Sequence, residues 1–497
     1  MPDRDATGRL DVELRRIAHA LVAEAPAAPV SLPAGADVVP LPRRPRRRYL
    51  LAVAGAVALV GLVGGLVLTV GRDGDVADVE VGQEPAATGP PAGEAAPTCS
   101  GEEDGILRIG GLLPATGDLA FLGPPMIAGG NLAVEEINAA GGVLGRPVEY
   151  LLGDSGDGAR DDYFEVANAW VDAHLDAGVD AVLGAASSGV SLNVIDKITG
   201  ACKIHFSPAN TAPEFTAHHD GDLYFRTSPS DVLQGRALAD LIVAEGNSTV
   251  ALLARQDSYG EGLLEFTKLP LEEQGAEVVV ERTYDPGAVA FEADAEAEAA
   301  VEEAVEEVIS ADPGALVLIG FDESSIILNL LFERGFMPGE HGIYLVDGNI
   351  GDTLGENFTT PGQLVGVKGT LPTAEMPDEL RGRLLETDPN LNDFSYGPET
   401  YDAVIIMALA AERAGTDNPA DVASNINGIT RDGTACTSFQ ECRDLIADGE
   451  DIDYNGPSGP QEFSQPGEPT VASFAIMSYG NDNRIDDSLT EFRQANF

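Results

Sequence analysis

From residue 105 to residue 230, short apolar runs alternate with stretches in which apolar residues recur at helical spacing. The apolar runs read ILRIGGLL, VEYLLGD, VDAVLGAA and KIHFSPA, and the helical stretches between them include NLAVEEINAAGG, YFEVANAWVDAHLDAG and NVIDKITG. Strands that alternate with helices in this order are typical of βαβ units, whose strands form a mainly parallel sheet. The pattern therefore predicts an α/β fold.

A second series of the same kind begins after FRTSPSD at residues 226–232. Its apolar runs are STVALLARQ, AEVVVERTY, ALVLIGFD and GIYLVDG, again separated by helical stretches. Later residues return to helical patterns and end in short β-like runs such as TVASFAIMSYG. We expect two lobes, with lobe 1 formed by residues 104–228 and 369–452 and lobe 2 by residues 229–368 and 453–497.

Two lobes built from alternating parts of one chain require three crossovers. We expect these hinge crossovers near residues 226–231, 366–369 and 452–456, where one pattern gives way to the next.

The N-terminal part of the chain has a different character. Residues 1–48 are polar, rich in proline and arginine, and expected to be mostly disordered; they end in RRPRRR. Residues 49–71 contain no charge, and these 23 residues would rise roughly 34 Å as a helix, enough to cross a bilayer. Residues 72–103 are rich in glycine, proline and acid, which predicts a flexible tether.

Arginines before residues 49–71 and acids after them predict a single-pass cell-membrane protein with a cytoplasmic N-terminus and its lobes outside. The alternative is a cleaved export signal, because Arg46–Leu50 resemble a twin-arginine signal. The apolar run is long for a signal peptide, and no A-x-A-like cleavage site follows it. The sequence favours the anchor.

The charge of the chain excludes one class of partner. It has 497 residues, with 29 basic against 82 acidic side chains and a net charge of −53. Nucleic-acid binding depends on lysine and arginine, so no nucleic-acid partner is expected. No G-x-S-x-G, G-x-G-x-x-G or G-x-x-x-x-G-K-[ST] motif is present, and we therefore expect neither an enzyme nor a bound cofactor.

Four cysteines would lie outside the membrane in this topology, where disulfides persist. Cys436 and Cys442 enclose a short polar loop and are expected to bond to each other, which leaves Cys99 with Cys202. Four cysteines allow three pairings, and the sequence alone does not choose between them. A spacing of six is not a metal-binding pattern, and no metal site is expected.

Two strand-to-helix turns are crowded with small residues and hydroxyls. They are LGAASSGVS at residues 183–191 and SPANTAPEF at residues 207–215. Ligands of open parallel sheets sit outside the carboxyl ends of the strands, where helix N-termini offer unpaired N–H donors and the positive ends of helix dipoles. These turns therefore predict a pocket for the carboxylate of a small molecule.

Seven motifs, in order, give the chain from residue 104 to residue 497 a family resemblance. They are IGGLLPATGDLAFLG, LAVEEINAAGGVLGRPVEYLLGDSGD, SPANTAPEF, FRTSPSD, DSYGEGLLEF, YDAVIIMALA and IDYNGPSGPQEF. This part of the chain resembles the leucine/isoleucine/valine-binding type I periplasmic binding proteins, which are substrate-binding components of branched-chain amino acid ABC transporters. The resemblance implies two Rossmann-like lobes that are joined by three hinge strands and close on a ligand in the cleft.

The resemblance also implies a set of ligand-binding residues. Ser188 and the backbone around Ala209 and Thr211 match positions that hold the ligand's α-carboxylate, and the Thr211 hydroxyl would reach the α-ammonium. Asp347 matches an acidic position that neutralises the ammonium, so the two ends of a zwitterion would be clamped. The alternative for Ser188 is that it only caps its helix.

Further matched positions would surround the ligand's side chain. Tyr259 and Phe321, or Asp322 beside it, fall on the wall of lobe 2, and Leu122 falls on the wall of lobe 1. Asn210 stands between two matched positions, where a smaller residue is common in the family. The alternative is that the aromatic residues and Leu122 are ordinary packing residues.

Two functions are compatible with these features. In the first, a membrane-anchored solute-binding protein captures an amino acid of branched-chain type, or a similar small carboxylate, and delivers it to an ABC permease with its ATPase. In the second, a sensory ectodomain signals through residues 49–71 to a cytoplasmic partner. A tether of about 30 residues would transmit torque poorly, which favours transport.

Overall fold

A computed structural model describes residues 37–38, 103–158, 161–289 and 295–496. Within these ranges no helix is both long and apolar enough to cross a membrane. The expected span at residues 49–71, nearly all of the expected tether, and Cys99 lie outside the described residues.

The first part of lobe 1 is a parallel sheet with helices on both faces. Its strands run in the order β1-β3-β2-β4-β5-β6, and every pairing is parallel. The elements are β1 (Asp37–Val38), β2 (Arg108–Leu113), α1 (Gly123–Ala139), β3 (Glu149–Asp154), α2 (Asp161–Asp176), β4 (Ala181–Gly184), α3 (Ser188–Gly200), β5 (Ile204–Ser207) and β6 (Tyr224–Arg226).

The two-residue strand β1 pairs with the edge strand β3 of this sheet. If residues 49–71 span a membrane, residues 1–48 and lobe 1 lie on opposite sides of it. Strand β1 could then not pair with β3. The membrane topology therefore stays a prediction.

Lobe 2 repeats the architecture with a sheet of its own. The order is β16-β15-β11-β10-β9-β7-β8, parallel from β8 to β11 and antiparallel beyond. The elements are α4 (Asp231–Ala244), β7 (Thr249–Arg255), α5 (Ser258–Glu273), β8 (Glu277–Tyr284), α6 (Pro286–Val289), α7 (Ala295–Ala311), β9 (Ala315–Ile319), α8 (Ser324–Glu333), β10 (Gly342–Leu345), α9 (Asp352–Glu356), β11 (Val367–Pro372) and, later in the chain, the two antiparallel strands β15 (Val471–Ser478) and β16 (Glu491–Asn496).

Between β11 and β15 the chain returns to lobe 1. The elements there are α10 (Asp378–Thr387), α11 (Gly397–Ala414), α12 (Pro419–Ile426), β12 (Thr434–Cys436), α13 (Phe439–Ala447), β13 (Ile452–Gly456) and β14 (Gly459–Pro460). Helix α11 packs closely on α1 at Gly129, which has no side chain. A Cβ atom at this position would lie only 2.2 Å from the carbonyl oxygen of Gly397. Ile452, Tyr454 and Phe463 belong to the same buried apolar cluster as the α11 core.

The crossovers differ in part from their expected positions. The first runs from the end of β6 to the start of α4, within 226–231. The second follows Pro372, because β11 stays in the lobe 2 sheet and pairs with β15 through Ala475 and Phe474. The third lies just before β15, because β13 pairs with β12 and β14, Phe463 still packs in the lobe 1 cluster, and Gly467 accepts a hydrogen bond from the Arg226 N–H. The expected boundaries at 368/369 and 452/453 are therefore too early.

The disulfide between Cys436 and Cys442 is present, as expected from the short loop, and joins β12 to α13. Cys202 is also disulfide-bonded. Cys99, the one remaining cysteine of the sequence, lies outside the described residues.

Candidate functional site

A cavity lies between the carboxyl-end loops of the two sheets. Its empty volume is about 260 Å³, including the space at its mouth. Lobe 1 and lobe 2 both contribute to its wall, which consists of Leu119, Leu122, Ala186, Ser187, Ser188, Ala209, Tyr259, Phe321, Asp347, Gly348 and Tyr396. Six of the eight ligand-binding residues expected from the sequence are in this set.

The lobe 1 wall is formed by the N-terminus of α3. Ser187, and not Ser188, caps this helix: its side chain accepts a hydrogen bond from the backbone N–H of Val190. The Ser188 hydroxyl lies on the cavity and accepts from the N–H of Ala212 at 3.3 Å. The first N–H groups of a helix have no partner within it, and the helix dipole adds partial positive charge there. This wall therefore suits an anion.

The loop after β5 supplies only one of its three expected residues to the cavity wall. Ala209 lines the cavity, whereas Asn210 is fully buried behind it. The Asn210 amide donates to the carbonyls of Ala185 and Ala186 and accepts from the Tyr224 hydroxyl. These bonds tie the two loops of lobe 1 together, so the expected placement of Asn210 on the cavity wall is wrong.

Thr211 lies behind the wall as well. Its buried hydroxyl makes no hydrogen bond of regular geometry, but it lies beside the carboxyl of Asp231 as a weak donor and lowers the pKa of that acid.

Asp347 is the polar centre of the lobe 2 wall. It follows β10 and is 4% exposed. Its carboxylate accepts hydrogen bonds from the Tyr259 hydroxyl at 2.8 Å, the Gln234 amide at 2.7 Å and the Tyr396 hydroxyl at 2.6 Å. Burial raises the pKa of Asp347, and these three donors oppose that rise. These three hydrogen bonds hold the Asp347 carboxylate in place in the cleft.

A second acid, Asp231, lies close to Asp347 in the first turn of α4. It is fully buried, and both of its carboxylate oxygens lack a hydrogen-bond partner. Burial, and then the charge of Asp347, raise the pKa of Asp231 well above its usual range. We did not single out this residue from the sequence, although it lies within the FRTSPSD motif, because an acid just after a capping serine is common at helix starts.

Two stacked aromatic rings form the apolar part of the lobe 2 wall. The rings of Tyr259 and Phe321 lie 5.5 Å apart at 27°. The guanidinium carbon of Arg255 sits 3.4 Å from the centre of the Phe321 ring, and Arg255 is itself held by Asp257 at 2.6 Å and Glu323 at 3.2 Å. This buried ion group fixes the orientation of Phe321.

Lobe 1 provides the opposite apolar side through Leu122, as expected, and through Leu119 and Tyr396, which the sequence did not indicate. Tyr396 has a left-handed backbone, with φ 60°, immediately before α11. Its hydroxyl reaches across the cleft to Asp347. Asp322, the alternative to Phe321, does not line the cavity and accepts a hydrogen bond from Asn357 instead.

The described residues hold no group of three or more histidine, cysteine, aspartate or glutamate side chains arranged for a metal ion. The arrangement is instead that of a two-lobed receptor, with helix N–H donors on one wall and a carboxylate on the other. Proteins of this class bind a small molecule between their two lobes.

Comparisons with known proteins show which proteins the chain is similar to. A "Periplasmic binding protein" family profile matches residues 106–324. The Leucine-, isoleucine-, valine-, threonine-, and alanine-binding protein of Pseudomonas aeruginosa is 27% identical over 339 residues, which are 67% of this chain and 85% of that protein. Residues 106–324 therefore match a periplasmic binding protein domain, and the chain is similar over two thirds of its length to a protein named for binding amino acids.

Another relative comes from a haloarchaeon. The chemotactic signal transduction system substrate-binding protein BasB of Halobacterium salinarum is 24% identical and is matched over 73% of this chain and 85% of its own length.

The fold has clear counterparts among solved structures. The branched-chain amino acid transporter substrate binding protein LivJ from Streptococcus pneumoniae, in complex with isoleucine, has a TM-score of 0.62 at 21% identity, over 78% of this chain and 99% of that one. The leucine binding protein LivK from Thermotoga maritima gives 0.62 at 20% identity, over 78% and 99%. These likenesses show the fold, with two parallel-rich sheets.

Proposed function

We propose that the chain is an extracytoplasmic solute-binding protein that holds an amino acid in the cavity between its lobes. The observation that carries this proposal is the chemistry of the two walls: a helix N-terminus with Ser188 on lobe 1 faces the Asp347 carboxylate on lobe 2. A zwitterion has one group for each wall.

The carboxylate end of the ligand would rest on lobe 1. The N-terminus of α3 presents its first N–H groups and the Ser188 hydroxyl, beside the backbone at Ala209. Charge-assisted hydrogen bonds from such donors are about twice as strong as neutral ones. This wall alone would accept any small carboxylate.

The ammonium end would select an amino acid. It would contact Asp347 and lie near Asp231, whose oxygens have no partner within the described chain. A buried carboxylate without partners is unfavourable, and an ammonium that reaches it would relieve that cost. The Thr211 hydroxyl, which makes no hydrogen bond of regular geometry, is a further acceptor beside Asp231.

The side-chain end would meet apolar surface. Leu119 and Leu122 from lobe 1 face the stacked Tyr259 and Phe321 from lobe 2. This composition suits an aliphatic side chain. The relative from Pseudomonas aeruginosa is named for binding leucine and isoleucine, and the structure from Streptococcus pneumoniae contains isoleucine, which supports this proposal.

We further propose that the protein is anchored by residues 49–71 and delivers its ligand to an ABC permease with its ATPase. The uncharged 49–71 stretch and the names of the transporter relatives support this step. Deleting the chain is expected to reduce uptake of the bound amino acid, and restoring it without residues 49–71 to leave binding intact while uptake falls. Unchanged uptake in the deletion strain would contradict a transport role.

The alternative is ligand sensing through the membrane segment. One observation favours it: BasB, at 24% identity, is named as part of a chemotactic signal transduction system. Sensing predicts that deletion abolishes a behavioural response to the amino acid and leaves its uptake unchanged. Both measurements on one deletion strain distinguish the two functions.

The ligand class is tested by titrating the full chain with a panel of amino acids, their amides, short carboxylates and sugars. We expect affinity for aliphatic amino acids and none for sugars. Binding of carboxylates with no preference for an α-amine would remove Asp347 and Asp231 from the proposed site.

A further inference from the structure

A second cavity lies where the three crossovers meet, away from the ligand cleft. Its empty volume is about 380 Å³, including the space at its mouth. The first crossover contributes Thr227, the second Thr373 and the third Pro469, while Glu399 enters from the first turn of α11 and Gln461 from the loop after β14. The cavity therefore touches every connection about which the lobes move.

Two of the residues that line this cavity each carry a buried acceptor oxygen without a hydrogen-bond partner. Glu399 is 2% exposed and Gln461 is 3% exposed. The Oε2 atom of Glu399 and the Oε1 atom of Gln461 make no hydrogen bond within the described chain. The Gln461 amide nitrogen is already used, since it donates to the Ser458 hydroxyl at 2.8 Å, which directs the carbonyl oxygen of the same amide elsewhere.

The charge around this cavity is unbalanced. Asp402, one turn after Glu399 on α11, is fully buried and accepts from the Tyr454 hydroxyl at 2.7 Å and the Ser458 N–H at 2.9 Å. None of the described residues that line the cavity is lysine, arginine or histidine. Burial, and then Asp402, raise the pKa of Glu399 to about 8. Buried carboxylates in proteins are normally paired with a cation or a metal ion.

The chemistry of the wall specifies the missing partner. Carboxylate, amide carbonyl and hydroxyl oxygens are ligands for hard cations. Glu399 is the one carboxylate among the described lining residues, which suits a single positive charge better than the several carboxylates that calcium usually takes. We propose that this hinge cavity binds a sodium ion through Glu399 Oε2 and Gln461 Oε1.

With such an ion, the sodium concentration would affect the movement of the lobes. The ion is bound beside Thr227, Thr373 and Pro469, one residue from each of the three crossovers. A cation that binds one arrangement of these segments better than another shifts the population between the open and closed states. This inference does not depend on the identity of the ligand in the cleft.

The test is the thermal unfolding midpoint of the full chain as sodium chloride is replaced stepwise by choline chloride or potassium chloride at constant ionic strength. At pH ~9.5, where Glu399 is ionised, we expect a saturating rise of about 2 °C that is specific to sodium. At pH ~6, below the pKa of about 8, the sodium-specific rise should disappear.

Variants separate this site from general salt effects. Glu399→Gln should abolish the sodium-specific rise, whereas Glu340→Gln, a change at an exposed glutamate, should keep it. If Glu399→Gln does not fold, Gln461→Met provides the same test. Equal rises in the three salts, or a sodium-specific rise that survives both cavity variants, would overturn the proposal and leave a proton or a water molecule as the partner of these oxygens.

Discussion

The Tyr396 hydroxyl of lobe 1 donates a 2.6 Å hydrogen bond to the Asp347 carboxylate of lobe 2. Both residues line the cleft cavity, so this bond joins the lobes at the place where the ligand is expected. The same carboxylate also accepts from Tyr259 and Gln234, both carried by lobe 2 elements. One acid thus accepts hydrogen bonds from both lobes.

The first prediction concerns this contact between the lobes. Tyr396→Phe removes a hydrogen bond to a buried carboxylate, and such bonds contribute roughly 1.5–3 kcal/mol. We expect the closed state to be less populated and amino-acid affinity to fall by about tenfold to a hundredfold. X-ray scattering with and without ligand measures how much of the protein is closed. At saturating ligand the variant should still become more compact. A variant with unchanged affinity would exclude the bond from closure.

The second prediction concerns Asp347 itself. Asp347→Ala removes the partner of the ligand's ammonium and should weaken amino-acid binding by roughly 2–5 kcal/mol, the range for truncating one side of a buried charge pair. Calorimetric titration measures the change. Asp322→Asn, at an acid that does not line the cavity, is the matched control and should bind like the parent chain. Equal dissociation constants for Asp347→Ala and the parent would remove Asp347 from the site.

The third prediction separates binding from stability at Asp231. Its carboxyl pKa is raised by burial, so the folding stability associated with ionisation of this group is present at low pH and lost as the pH rises through the folded-state pKa. Asp231→Asn should therefore weaken amino-acid binding yet raise the unfolding midpoint of the ligand-free chain, by more at pH ~8 than at pH ~5. A lower midpoint at both pH values would show that the carboxylate is satisfied in the folded chain.

The fourth prediction compares two neighbouring buried serines. Ser187 caps α3, so Ser187→Ala should lower the free energy of unfolding by about 1 kcal/mol through loss of the cap. Ser188→Ala removes a cavity hydroxyl and should mainly weaken ligand binding. Chemical denaturation and calorimetry on both variants measure the two quantities. Identical effects of the two changes would mean that Ser188 acts only in the structure of the turn.

The fifth prediction concerns acid stability in lobe 1. Burial lowers the pKa of His205 to about 4, and its ring packs edge-on against Tyr224 at 5.3 Å. The unfolded chain, with a histidine pKa of about 6.5, then binds more protons than the folded chain between these values, so stability associated with His205 falls as the pH drops from ~6.5 to ~4. Ring-proton NMR should find His205 neutral at pH ~5.5. A His205 pKa near 6.5 in the folded chain would contradict this prediction.

The strand and helix order was predictable from the sequence because apolar runs in a buried parallel sheet are continuous and the helices between them are amphipathic. The turns that follow β4 and β5 were predictable for a related reason: small residues and hydroxyls at the carboxyl end of a strand have few structural uses other than binding or capping. The loops that carry Ser188 and Ala209 were found in this way, and the family resemblance then indicated these two residues within them.

Residues whose position depends on tertiary structure were harder to find. Tyr396 lies far along the chain from Asp347, and only the packing of α11 on α1 brings its hydroxyl to the cleft. Asn210 is the opposite case. Its place between matched residues predicted that it lines the cavity, but its amide makes three hydrogen bonds within lobe 1 instead. The later crossovers were misplaced because β11 and β13 continue their ladders beyond the change in hydropathy pattern.

The most direct test of the account is calorimetric titration of the full chain with leucine and two analogues that each lack one end, 4-methylpentanoate without the amine and isoamylamine without the carboxylate. A ligand clamped at both ends predicts micromolar or tighter binding of leucine and at least ~100-fold weaker binding of each analogue. An analogue that binds as tightly as leucine, or a chain that binds no amino acid, would contradict the zwitterion site between the lobes.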